Sequence, residues 1–117
     1  MLCRQAVGLA QRMNDVRTVL VIAEVHAGTF APEVTQISIS YVDLSARVLS
    51  QILPDLVVMP LFGTGFDAIE ALAQLDRFGF RGDVVVRTPY LPNNRIVERE
   101  LCALVPNLRV RLVGPAS

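Results

Sequence analysis

The stretch Gly63-Thr64-Gly65-Phe66-Asp67-Ala68 fits the pattern G-x-G-x-x-A between an apolar run and a helical one. In such a turn, backbone amides at a helix N-terminus cradle a phosphate. Arg87 ends a later apolar run, where a guanidinium could meet an anion, and Thr88 follows with a hydroxyl. Gly63, Thr64, Gly65, Arg87 and Thr88 are thus the candidate anion- or ligand-binding residues. The same turn has a structural reading, and the sequence favours it. Asp67 complements the helix dipole unaided and would repel an anion. The pattern also lies past mid-chain, whereas the dinucleotide fingerprint opens its fold.

Other reactive residue types point away from catalysis. The chain has eleven basic residues, all arginine, against eleven Asp plus Glu, and no lysine. That excludes a P-loop or Schiff-base lysine, and the balanced charge gives no pull towards nucleic acid or an anionic membrane. His26, the sole histidine, sits in no Ser-His-Asp or Cys-His order. Glu24 reads as a strand-end carboxylate paired to arginine, with an isolated metal ligand as the alternative. Cys3 and Cys102 lack zinc spacing and fit reduced cytosolic thiols better than a disulfide. No metal, no cofactor and no catalytic residue is expected. Residues 1–13 are interrupted by Gln11 and Arg12, unlike a signal peptide. Leu56–Phe62, the longest apolar run, is too short to span a bilayer. A cytoplasmic protein is expected.

The elements that position these residues follow from periodicity. At 117 residues the chain is one domain, 1–117, with residues 1–16 as an N-terminal packing segment. Thr18–Val25 reads as a strand, and Gln36–Val42 as a half-buried edge strand alternating Ile37, Ile39 and Tyr41 with Ser38 and Ser40. Asp43 or Ser45 caps a short helix burying Val48, Leu49, Ile52 and Leu53. Asp55 and the run from Leu56 give a strand covered on both faces. A helix over Phe66–Phe78 buries Phe66, Ile69, Leu72 and Leu75, and ends at Gly79. Asp83–Arg87 is another buried strand. A helix from Asn93 or Asn94 to Val105 turns Ile96, Val97, Leu101, Leu104 and Val105 inward, and Leu108–Val113 is the last strand. Alternating strands and helices imply a mostly parallel α/β sheet. The short first connection, with Gly28 and Pro32, leaves the first crossover helix missing or replaced. An antiparallel hairpin of the first two strands is one solution; the N-terminal segment would then supply helical cover.

From about residue 40 to 115 the chain resembles the receiver domains of bacterial response regulators, and hence a flavodoxin-like fold. Pro54-Asp55 opens the central strand, Asp67-Ala68-Ile69-Glu70 occupy the family's later positions, and Thr88 matches its strand-end Thr or Ser. Ala23-Glu24 half matches the acidic pair that holds magnesium, and Gly114-Pro115 stands where the family has Lys-Pro. Under this resemblance Glu24, Pro60, Thr88 and Gly114 are degenerate phosphorylation-site positions. Pro60 replaces the phospho-accepting aspartate and Gly114 the lysine. Aspartyl phosphorylation needs a carboxylate nucleophile and cations around the phosphoryl oxygens, so that chemistry is expected to be lost. Tyr90 and Leu91 fall on the surface that receivers use for partners.

The expectation is therefore a non-enzymatic receiver-like signalling or interaction module, forming a homodimer or meeting a protein partner. The alternative is a small-ligand or nucleotide-binding α/β protein using the Gly63–Gly65 turn. Dimerisation is expected because apolar residues make up 52% of the chain. The shortened first connection also leaves sheet surface bare, and Gln36–Val42 contains no lysine or proline to discourage pairing.

Overall fold

The structure, a computed structural model, describes residues 16–23, 30–89 and 93–114. Cys3, Glu24, His26, Tyr90, Leu91 and Pro115 lie outside the described residues, as does the packing segment up to residue 15. Among the described residues five strands form one sheet, all parallel: β1 (Thr18–Ile22), β2 (Thr35–Ile39), β3 (Leu56–Pro60), β6 (Asp83–Arg87) and β7 (Arg109–Val113). Their order is β2-β1-β3-β6-β7. That is the doubly-wound, flavodoxin-like order, with its direction reversing between β1 and β3. A two-stranded antiparallel hairpin, β4 (Phe62–Gly63) and β5 (Phe66–Asp67), follows β3. Among the described residues three helices connect the strands: α1 (Ala46–Ile52), α2 (Ala68–Arg77) and α3 (Asn94–Leu104).

The first two strands are parallel and not a hairpin. Thr18 to Ile22 run in register with Thr35 to Ile39. Residues 23–34 supply about the dozen that a parallel crossover needs. Among the described residues this crossover carries no helix.

Right-handed crossovers then decide which face each connection covers. Steps from β2 to β3, β3 to β6 and β6 to β7 run in one direction, so α1, α2 and α3 share a face. There Leu49, Leu72, Leu75, Leu101 and Cys102 pack on Leu20, Ile22, Val57, Met59, Val84 and Val86. The step from β1 to β2 runs the other way and must cross the opposite face. Phe30 and Val34 of that connection do pack there, against the cluster of Val16, Val19, Val21, Leu56, Val58 and Val85. Both faces of β3 are thus covered, which is why its apolar run is unbroken.

The helices differ from the sequence reading in phase. Phe66 lies in β5, and α2 begins at Ala68 with Asp67 as its N-cap, accepting from the Glu70 amide at 2.9 Å. Its buried stripe is Ala68, Ala71, Leu72 and Leu75, the i, i+3, i+4, i+7 pattern. Ile69 is turned to solvent, because the spacing of three from Phe66 drifts off a 3.6-residue turn. In α3 the inward residues are Val97, Leu101 and Cys102, with Val105 after it, whereas Ile96 and Leu104 are exposed. Ser45, not Asp43, caps α1, which buries Leu49 but leaves Leu53 exposed in a left-handed C-cap at φ 51°. Strand β2 stops at Ile39, since Tyr41–Asp43 form a 3₁₀ turn. Gly79, at φ 89°, closes α2 as predicted, with Phe80 N–H donating to Leu75 C=O in a Schellman arrangement. No helix of the described residues is long and apolar enough to cross a membrane.

Candidate functional site

In an open α/β sheet, the C-terminal ends of the strands that flank the direction reversal part to leave a crevice. Here it lies beside Ala23, after β1, and Pro60, at the end of β3. Ser40, Tyr41, Phe62, Gly63, Thr64 and Phe66 complete its lining around a volume of about 570 Å³. Ala23 takes φ 67°, a left-handed conformation rare for a residue with a Cβ. Such a conformation costs on the order of 1 kcal/mol. Its N–H is held by Ile39 C=O at 2.8 Å, one step beyond the last β1–β2 pair. The chain therefore turns sharply off the sheet at the mouth of the crevice.

The opposite wall is the hairpin. Phe62 pairs with Asp67 and Gly63 with Phe66, so Thr64 and Gly65 form its two-residue loop. Gly65 has φ 81°, as the second central residue of a type II turn requires. Gly63 is a glycine for another reason: a Cβ there would stand 2.3 Å from the Phe66 ring. That ring is buried and stacks on Tyr41, with centroids 4.3 Å apart and planes 11° from parallel. Both glycines are thus explained by the turn and the stacked rings. The α2 N-terminus is likewise engaged, its Glu70 amide by Asp67 and its Ala68 amide by Leu61 C=O.

Of the sequence candidates, the structure brings Pro60, Gly63 and Thr64 together in the crevice. Arg87, Thr88 and Gly114 lie along the same end of the sheet but outside it. Arg87 is the register partner of Pro60, and Leu61 N–H donates to its carbonyl at 2.7 Å. Thr88 is buried, its amide donating to Val113 C=O and its hydroxyl to Pro89 C=O at 3.0 Å. Gly65 faces outward at the hairpin tip, with open space where a Cβ would lie. Ser40, Tyr41, Phe62 and Phe66 are not among the sequence candidates for the site, because a 3₁₀ turn and a hairpin deliver them. The reversal of strand order, legible only from topology, would have pointed to Ala23 and Ser40.

The described lining offers hydroxyls from Ser40, Tyr41 and Thr64, backbone groups and aromatic faces, but no carboxylate, imidazole, thiol or cation. That set can hydrogen-bond and stack; it holds no activated nucleophile. Among the described residues no three of His, Cys, Asp and Glu gather to hold an ion. The carboxylates that flank β3 and the hairpin are otherwise employed, Asp67 as the cap of α2. Asp55 sits at the other end of β3 and accepts the Arg17 and Thr18 amides at 2.9 and 3.0 Å. Comparison with known proteins finds no family model that matches the sequence, and no curated protein or solved structure significantly similar to it.

Proposed function

We propose that this protein is a non-enzymatic, receiver-like interaction module of the cytoplasm, acting in signalling through protein contacts and self-association. The observation that supports this most is Pro60. It occupies the C-terminal end of β3, in register with Arg87, where a receiver would present its phospho-accepting carboxylate. A proline side chain is saturated hydrocarbon and carries no nucleophile to take up a phosphoryl group. Asp55 and Asp67 are bound to backbone amides elsewhere. The test is incubation with acetyl phosphate and magnesium, followed by intact-mass analysis. The chain is expected to stay unmodified; a phosphoryl adduct on Asp55 or Asp67 would overturn the reading.

A second reading, a small-ligand site, is favoured by the crevice itself and by the strained Ala23 at its mouth. Its lining suits an uncharged, hydrogen-bonding ligand with a flat ring better than a phosphate. Nucleosides titrated into labelled protein distinguish the two readings. Saturable shifts at the amides of Ala23, Ser40 and Gly63 would favour the ligand site.

A further inference from the structure

The two outer strands of the sheet are finished differently. In a parallel pair, alternate residues direct both N–H and C=O to one neighbour. Along β7 the Thr88 amide reaches Val113 C=O, and the Arg109 amide reaches Gly82 C=O, so the backbones of Val110 and Leu112 face outward. Both are met by α3. Leu112 N–H donates to Glu98 Oε2 at 2.8 Å, and Cys102 Sγ–H donates to Val110 C=O at 3.5 Å. Along β2, Thr35 N–H donates to Arg17 C=O and Ile39 C=O accepts from Ala23. Gln36 and Ser38 therefore face outward, and among the described residues nothing bonds to their amides or carbonyls. Their side chains are exposed as well.

We propose that the β2 edge is the docking surface for a second copy of this chain. Two β2 strands pair antiparallel about a two-fold axis at Ile37, joining two five-stranded sheets into one. This inference rests on the interaction-module reading and names the surface that reading requires. The register is self-complementary. With Ile37 on the axis, Gln36 lies opposite Ser38 of the second copy and Ser38 opposite its Gln36. Each of these pairs exchanges two backbone hydrogen bonds. Ile37 directs its own N–H and C=O to β1, so it meets its symmetry mate as a non-hydrogen-bonded pair, where side chains approach most closely. That contact extends the α-covered core across the axis, since Ile37 and Ile39 already pack on it. No charge lies within Thr35–Val42 to oppose the match. The occupant is a copy in isologous contact because β7, the other edge a copy offers, is already occupied by α3. Head-to-tail growth is blocked and the assembly closes at two.

The test uses the full chain and two variants. Ser38→Pro removes an N–H that serves only the second copy, a placement an edge strand tolerates. Gln36→Lys with Ser38→Lys sets like charges opposite each other on an exposed face without touching β1. Sedimentation equilibrium of the parent chain should give twice the 12.8 kDa chain mass. The double-lysine variant should raise the dimer dissociation constant by roughly tenfold or more. Ser38→Pro, with circular dichroism matching the parent, should sediment as a monomer. A parent that is monomeric at high micromolar concentration, or a double-lysine variant that dimerises as tightly as the parent, would overturn the proposal. Both outcomes are independent of the phosphorylation result: a double-lysine variant that still dimerises would move the interface and leave the module reading standing, whereas a monomeric parent would also remove self-association from that reading.

Discussion

The β2 and β7 edges share one backbone geometry yet meet different fates. In both, two residues turn their amides and carbonyls away from the sheet. At β7 a helix of eleven residues lies alongside and places Glu98 and Cys102 on those groups. At β2 the adjoining crossover contributes no helix among the described residues, and Gln36 and Ser38 stay unpaired. The contrast teaches that a crossover helix does more than cover a face. It also supplies the side chains that finish an edge, and an edge without such side chains is available for pairing.

The largest expected effect comes from unseating the helix that guards β7. Leu101, almost wholly buried, anchors α3 to the sheet. Leu101→Ala should cost about 2–5 kcal/mol, read as a lower urea midpoint. Next is the clamp between β6 and β7, where Arg109 Nε donates to the buried Asp83 Oδ1 at 2.6 Å. Asp83→Ala should cost about 1–3 kcal/mol by the same measurement, since it removes a charge-assisted bond. The most selective change is Glu98→Ala, which strips the Leu112 amide of its acceptor for about 1 kcal/mol. It also makes β7 resemble β2, so the variant should show assemblies larger than a dimer in sedimentation velocity. A variant that remains strictly dimeric would show that a bare amide alone does not recruit a copy.

Much of this contrast was legible in the sequence, and the reasons are particular. The continuous run Leu56–Met59 announced a strand buried on both faces. The alternation Ile37-Ser38-Ile39-Ser40 announced an edge, and Asp83–Arg87 was bounded to the residue. The parallel pairing of β1 and β2 was not legible, because residues 23–34 sit at the length where hairpin and crossover compete. The phase of α2 is not legible, because Phe66 looks like a helix residue until its ring is seen stacked on Tyr41. Ile96 and Leu104 look like core in the sequence because α3 carries more apolar residues than its buried stripe uses. As for the crevice, Pro60, Gly63 and Thr64 could be named from motif spacing. Its other wall could not, for Ala23, Ser40 and Tyr41 reach it through topology, a left-handed residue and a 3₁₀ turn.

The claim that the chain uses its unfinished edge for contact is tested most directly by amide hydrogen exchange followed residue by residue across protein concentration. The Gln36 and Ser38 amides are expected to exchange freely when dilute and to slow markedly as concentration rises. The Leu112 amide, held by Glu98, should keep one rate throughout. Rates at Gln36 and Ser38 that stay fast at every concentration would contradict it.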